Sequence, residues 1–153
     1  STFGIGAIIG AIYFISGIMT FIGGLLADKF SLKKIYVIGL AGQIPCYLAI
    51  AYFSGLPLIF LCLFAAMFNS GILPTENILL SRFTPEKHHG LIYGFKFIIA
   101  FGSGPIAVLL VSKIYQLTSE FANLFLISSF VMLFIFILSL FLPFKNSNIE
   151  ISN

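Results

Sequence analysis

The chain alternates long apolar runs with short polar segments, and this pattern predicts its helices. Each run is long enough, at about 1.5 Å per residue, to cross a hydrocarbon core of about 30 Å. The pattern therefore predicts an all-α, multi-pass membrane protein with a bundle of about five transmembrane helices over residues 1–144 and a polar tail over residues 145–153. The predicted helices cover residues 4–27, 35–53, 57–80, 90–114 and 121–142.

Composition agrees with this class. Of the 153 residues, 59% are hydrophobic and 8% are charged, whereas a soluble domain carries about 25% charged residues. The net charge of +3 does not indicate nucleic-acid binding, because the few basic residues lie near helix ends. Cys46 and Cys62 lie inside apolar runs and are interpreted as small buried hydrophobic residues, with a disulfide as the alternative.

The distribution of lysine and arginine predicts the orientation of the chain. If the helices alternate in direction, all basic residues fall on one side except Lys113 on the other side and Lys96 within a helix. The positive-inside rule then places the C-terminus in the cytoplasm and Ser1 outside, in the cell (inner) membrane. The residues on the cytoplasmic side are Lys29, Lys33, Lys34, Arg82, Lys87 and Lys145.

The segment between the first two predicted helices, GLLADKFSLKK over residues 24–34, carries a recognisable loop signature. It resembles the signature of the major facilitator superfamily, G-x-L-A-D-[RK]-x-G-[RK]-[RK], with Ser31 in place of a glycine and Leu32 in place of a basic residue. A chance pairing of charges between two helices is the alternative. The matching residues are Gly24, Leu26, Ala27, Asp28, Lys29 and Lys33.

The position of the signature implies which part of such a transporter the chain represents. In that family the signature lies between the second and third helices of a six-helix half, so the five helices align with the last five of the transporter. The N-terminal half is the competing alignment. Its fourth helix usually carries an arginine four residues before a glycine, where this chain has Met67 before Gly71. We therefore expect the C-terminal half, with the sequence opening partway through a larger protein.

The resemblance implies secondary active transport of a small solute by alternating access, in which two bundles rock around a midplane site. In the family this loop locks against the other half; here Gly24, Asp28, Lys29 and Lys33 would form the gating loop. The expected partners are the bilayer, the missing N-terminal half, a small-molecule substrate and protons. No cofactor, metal or nucleic acid is expected. The alternative from another class is a non-transporting membrane interaction subunit with five transmembrane helices.

Glu76 and Lys96 are the charges best placed for function. Helical rise puts Glu76 about 6 Å from the end of its predicted helix and Lys96 about 9 Å from the start of the next. An uncompensated charge in the bilayer costs about 3 kcal/mol on insertion scales, so we expect mutual pairing or a watery cavity. Three interpretations stay open: a coupling carboxylate with a lysine partner or anion contact, a structural or gating ion pair, and snorkelling to the interface.

Four further polar residues are candidates for a solute pathway. Asn69 lies two turns from Glu76, and Ser103 lies two turns from Lys96. Tyr93 lies on the same predicted helix as Lys96, and Tyr13 belongs to a weakly polar stripe with Ser16 and Thr20. In the resembled family the helices that align with these line the pathway. For each residue alone, a packing or hydrogen-bonding role is the simpler interpretation.

No enzyme is predicted. His88 and His89 are neighbours with no cysteine and only one carboxylate, Glu86, nearby, so they are interpreted as part of a solvated loop rather than a metal site. Ser103 has no histidine at its depth and only Lys96 as a possible base, which is insufficient for a serine nucleophile. The chain contains no phosphate-binding loop, so any ATP-driven reaction would need another chain.

Overall fold

The computed structural model describes residues 2–142 of the chain. The described residues contain no strand, so the prediction of an all-α fold is confirmed. The predicted tail, residues 145–153, lies outside the described residues. The helices are α1 Thr2–Lys29, α2 Leu32–Ile50, α3 Leu56–Phe83, α4 His89–Thr118 and α5 Ala122–Leu140, with a short 3₁₀ turn, Glu86–His88, between α3 and α4.

Within residues 2–142, four helices are long and apolar enough to cross a membrane, namely α1, α3, α5 and the segment that contains α4. The remaining helix, α2, has 19 residues and spans about 28 Å, close to the thickness of a hydrocarbon core. Lys33, Lys34 and Gln43 lower its mean hydropathy. The helix begins three residues earlier than predicted, because these two lysines occupy its first turn rather than the preceding loop, and it ends three residues earlier, at Ile50. The fold is that of a multi-pass membrane bundle.

The centre of the bundle is α3. Helices α1 and α2 pack along the sides of α3, and α5 packs on α2. In contrast, α4 makes only sparse backbone contacts, with α5 and the 3₁₀ turn, and none of its residues is buried. Four helices therefore form a packed unit, and α4 stands beside it.

Glycines allow the helix backbones to approach closely at two crossings. A Cβ atom placed on Gly23 of α1 would collide with the carbonyl group of Gly71 on α3. A Cβ atom placed on Gly42 of α2 would lie 2.7 Å from the ring of Phe68 on α3. Close crossings of this kind supply the van der Waals contacts that hold membrane helices together, since lipid is as apolar as the helix surfaces.

The packed core combines apolar and polar side chains. Cys46 lies in a buried cluster with Ile50 and Ala65, and Cys62 packs against this cluster. Both cysteines are free thiols, in agreement with their interpretation as small hydrophobic residues. Gln43 is fully buried and donates a long hydrogen bond of 3.4 Å to the carbonyl oxygen of Gly39 in the preceding turn.

Lys33 fixes the end of α5 to the start of α2. Its Nζ atom donates hydrogen bonds to the carbonyl oxygens of Leu140 at 2.7 Å and Leu142 at 2.6 Å. The last carbonyl groups of a helix lack partners within the helix and carry partial negative charge, so an ammonium group is favourable there. This contact brings the α1–α2 turn and the end of α5 together at one end of the bundle.

We call this end, which also holds the connection from α3 to α4, the basic end. Because α2 and α3 pack side by side in opposite directions, the end of α3 lies beside the start of α2. The opposite end carries the α2–α3 and α4–α5 turns. The basic residues at the basic end are Lys29, Lys33, Lys34, Arg82 and Lys87.

The Gly23 crossing predicts a sharp difference between two glycines of α1. Gly23→Ala should lower the free energy of unfolding by about 1–3 kcal/mol, because the added methyl group forces the α1 and α3 backbones apart. Gly17→Ala is the matched control, since a Cβ at Gly17 has no atom within 4 Å. Unfolding of the protein in mixed detergent micelles measures both changes. Equal stability of the two variants would contradict the crossing.

A second stability prediction concerns the contact between α2 and α5. Lys33→Met should lower the free energy of unfolding by about 1–2 kcal/mol, because two charge-assisted hydrogen bonds to the end of α5 are lost. Lys29→Met is the control, since Lys29 is exposed in the last turn of α1. The same unfolding assay applies. If both substitutions have the same effect, Lys33 does not hold α5.

Candidate functional site

Lys96 of α4 lies against Glu76 and Asn77 of α3. Lys96 comes seven residues after the start of α4, and Glu76 seven residues before the end of α3, so each lies about 10 Å along its helix from the basic end. The Lys96 Nζ atom is 3.5 Å from Glu76 Oε1. A shorter contact of 2.7 Å joins the same atom to Asn77 Oδ1. The structure thus brings together the two predicted charges and adds Asn77 as the nearest partner of the ammonium group.

Three polar side chains of α4 face α3 along one line. His89, Tyr93 and Lys96 have the i, i+4, i+7 spacing that places residues on the same face of a helix. The Tyr93 hydroxyl donates a hydrogen bond of 2.8 Å to the backbone carbonyl oxygen of Asn77. We call these three residues and their partners on α3 the polar seam. Because the rest of α4 has no buried residue, the polar seam is its main attachment to α3.

His89 forms the outermost part of the polar seam. Its Nε2 atom lies 3.1 Å from the carbonyl oxygen of Ser81 and 2.9 Å from that of Thr84. Both partners are acceptors, so Nε2 carries the proton and donates. The prediction that both histidines lie in a solvated loop is wrong for His89, which is half-buried; His88 is exposed.

A cavity of about 590 Å³ opens beside the ion pair, between α3 and α4 with α2 and the end of α5 around it. Glu76 and Lys96 are the charged residues that line it, and most other lining side chains are apolar. Charges interact more strongly in such surroundings than in water. The Glu76 carboxylate can accept a proton, and the Lys96 ammonium can bind an anion. The apolar lining includes Phe83, Phe95 and Leu142.

Tyr13 and Asn69 lie together in a second cavity of about 460 Å³, further from the basic end. Asn69 precedes Glu76 by two helical turns, or about 10 Å. Ser16 also lines this cavity; it is buried, and its hydroxyl has no hydrogen-bond partner among the described residues. The second cavity therefore offers several polar groups to a solute within walls that are mostly apolar.

Ser103 is not brought to either cavity. Its hydroxyl donates to the carbonyl oxygen of Ala100 at 2.9 Å, on the exposed face of α4. Among residues 2–142, no three side chains of histidine, cysteine, aspartate or glutamate lie close enough together to hold a metal ion.

The predicted gating-loop residues divide into two groups. Asp28 and Lys29 are exposed in the last turn of α1, and Gly24 has open space where a side chain would lie. Lys33 is instead bound to the end of α5 within the same bundle. Asp28 and Lys29 are therefore accessible for contact with another surface, whereas Lys33 makes a stabilising contact inside the bundle.

Sequence reasoning missed the contacts of Asn77 and His89. The signal was nevertheless present, because His89, Tyr93 and Lys96 place polar groups on one face at the start of an otherwise apolar helix. Such a face predicts a polar partner on the neighbouring helix. The α3 residue that would meet it cannot be read from α4 alone.

Comparison with known protein families now adds to this geometry. Residues 1–151 match the family model of the Major Facilitator Superfamily. Neither the curated proteins nor the solved structures gave a match to the chain. Members of the matched family are transporters rather than enzymes. Since the family match covers nearly the whole sequence, the chain belongs to the Major Facilitator Superfamily.

Proposed function

We propose that the chain forms the C-terminal helical bundle of a secondary active transporter that moves a small solute by alternating access. In this mechanism a second bundle, the N-terminal half, faces α1 and α4 across the solute path. The exposed surface of α4 supports this arrangement, because a helix without buried residues leaves a large face available for another bundle. The bundle then acts as one of two rigid units that rock against each other.

The observation that carries the proposal is the sharing of Lys96 between Asn77 and Glu76 beside the larger cavity. Asn77 holds the ammonium at 2.7 Å, so the more distant Glu76 carboxylate can change its charge without releasing Lys96. Of the ion pair, Glu76 is also the more accessible, with 41% of its side chain exposed against 23% for Lys96. We assign to Glu76 the role of proton-coupling carboxylate and to Asn77 that of anchor for α4.

The two cavities suggest a route for the solute. Tyr13, Ser16 and Asn69 supply polar groups at the second cavity, and Glu76 and Lys96 supply charges at the cavity near the basic end. A solute that moves along α3 passes from the first group to the second over about 10 Å. Protonation of Glu76 removes the negative charge at the end of this route and so changes the affinity for the solute.

The positions of the charged residues support an orientation for the bundle and a role for the α1–α2 turn. The basic end faces the cytoplasm of the cell membrane, in accordance with the positive-inside rule, and the C-terminus lies on that side. Asp28 and Lys29 are exposed there and serve as the gating contact with the N-terminal half when the cytoplasmic side is closed. Lys33 supports this contact indirectly by fixing the neighbouring end of α5.

Glu76→Gln tests the coupling role. In vesicles that contain the full-length protein and a solute identified by a substrate screen, this change should abolish proton-coupled uptake while solute exchange persists, because the amide cannot carry the proton. Lys113→Gln, at the opposite end of α4, is the control and should leave both unchanged. Coupled uptake that survives in Glu76→Gln would remove Glu76 from this role.

Asn77→Ala, compared with Glu76→Gln, tests which partner of Lys96 contributes more to the stability of the bundle. It should lower the free energy of unfolding by about 1.5–3 kcal/mol, because it removes a hydrogen bond to a charged group. Glu76→Gln should cost less than about 1 kcal/mol, because the carboxylate lies farther from the ammonium, at 3.5 Å. Thermal unfolding of both variants in detergent gives the comparison. A larger effect of Glu76→Gln would make the ion pair a structural contact instead.

A further inference from the structure

Two apolar grooves flank the first half of α2 at the basic end. One, of about 370 Å³, runs between α1 and α2 over α3, with Gly23, Gly39 and Gly71 among its lining residues. The other, of about 360 Å³, lies on the α5 side of α2. Both grooves are lined by Lys34 and Ile38, so they meet at these two residues.

The first groove has the length of one leaflet of a bilayer. On the α1 side its lining residues run from Phe30, directly after the end of α1, to Met19 within the helix, a distance of about 16 Å at the helical rise. Half of a hydrocarbon core of about 30 Å is about 15 Å. The groove therefore extends from the membrane surface to about the bilayer midplane.

Positive charge lies at the mouth of both grooves. Lys34 is the charged residue of the first groove; it is exposed, and no hydrogen bond or ion pair of its side chain is seen within residues 2–142. Residues 28–34 hold three lysines and one aspartate. Because the Lys33 ammonium already donates to the end of α5, Lys34 is the group that faces an incoming anion.

The membrane location of the grooves favours lipid chains as their occupants. Ile38, between the grooves, is 65% exposed, and such a side chain in a membrane bundle contacts lipid. Two apolar grooves that meet at Lys34 and Ile38 match a molecule with one anionic group and two hydrocarbon chains.

We propose that the two grooves bind one anionic phospholipid, with its phosphate on Lys34 and one acyl chain on each side of α2. A lysine near an anionic membrane surface contributes about 1 kcal/mol, which corresponds to a preference of about fivefold over a zwitterionic lipid. The site rests on the membrane location of the bundle and not on the transport mechanism. It ties the α1–α2 turn, which carries Asp28 and Lys29, to the lipid composition of that leaflet.

A tryptophan reporter tests the proposal, because the chain contains no tryptophan. Ile38→Trp is introduced into the full-length protein, and fluorescence is measured in phosphatidylcholine vesicles that contain a small share of phosphatidylglycerol, with bromine quenchers on the chains of either lipid. The signal of the parent protein is subtracted. Phosphatidylglycerol should quench with about fivefold preference over phosphatidylcholine. Leu140→Trp, in the second groove, provides an independent reporter if the first variant does not fold.

Two further variants assign the preference to Lys34. Lys34→Gln in the reporter background should abolish it, whereas Lys113→Gln should leave it unchanged. Phe130→Trp, on an exposed position of α5, should show no preference and gives the bulk composition. Three results would each overturn the proposal. The first is equal quenching of Ile38→Trp by both lipids, and the second is a preference that persists in Lys34→Gln. The third is no quenching by either lipid, which would mean that protein covers the grooves. Since no solute or transport is measured, the result is independent of the function proposed above.

Discussion

A positive charge within an apolar membrane helix needs polar partners, and the position of α4 depends on this constraint. Lys96 lies about 10 Å inside its helix, too deep for its charge to be left without a partner at low cost. It finds an amide oxygen and a carboxylate on α3. Tyr93 and His89 add hydrogen bonds to backbone carbonyl groups of the same helix and of Thr84 directly after it. Polar contacts therefore hold α4 against α3, whereas apolar packing within the described chain contributes little to this attachment.

The two modes of helix attachment suit two mechanical roles. The backbones of α1 and α3 approach closely at Gly23 and Gly71, and Gly42 of α2 packs against the Phe68 ring of α3, so the packing of these helices is shape-specific. Such interfaces resist sliding. The polar seam consists of a few directional contacts near one end of α4, and one of its partners can change charge. Under the function proposed above, Glu76 offers a proton a binding site at this attachment, while Asn77 keeps α4 in place.

Much of the fold could be predicted from apolar runs, because each helix must span the same thickness of lipid. The meeting of Glu76 and Lys96 also followed from their similar depth on consecutive helices. Asn77 was harder to predict, because it lies 100° around α3 from Glu76 and the rotation of a helix is set by packing. The Lys33 contact joins residues 107 apart in the chain, and no local pattern encodes the register of two such helices. Nor does glycine spacing show which glycine meets another backbone: Gly23 does, and Gly17 does not.

The distance between α3 and α4 beside the polar seam shows whether polar contacts hold α4. Spin labels at Leu73 and Phe97, both exposed, would report this distance by pulsed electron paramagnetic resonance in the full-length protein. Lys96→Met should broaden the distance distribution and shift it to longer values, whereas Lys113→Met should leave it unchanged. An unchanged distribution in Lys96→Met would contradict the claim that polar contacts hold α4 against α3.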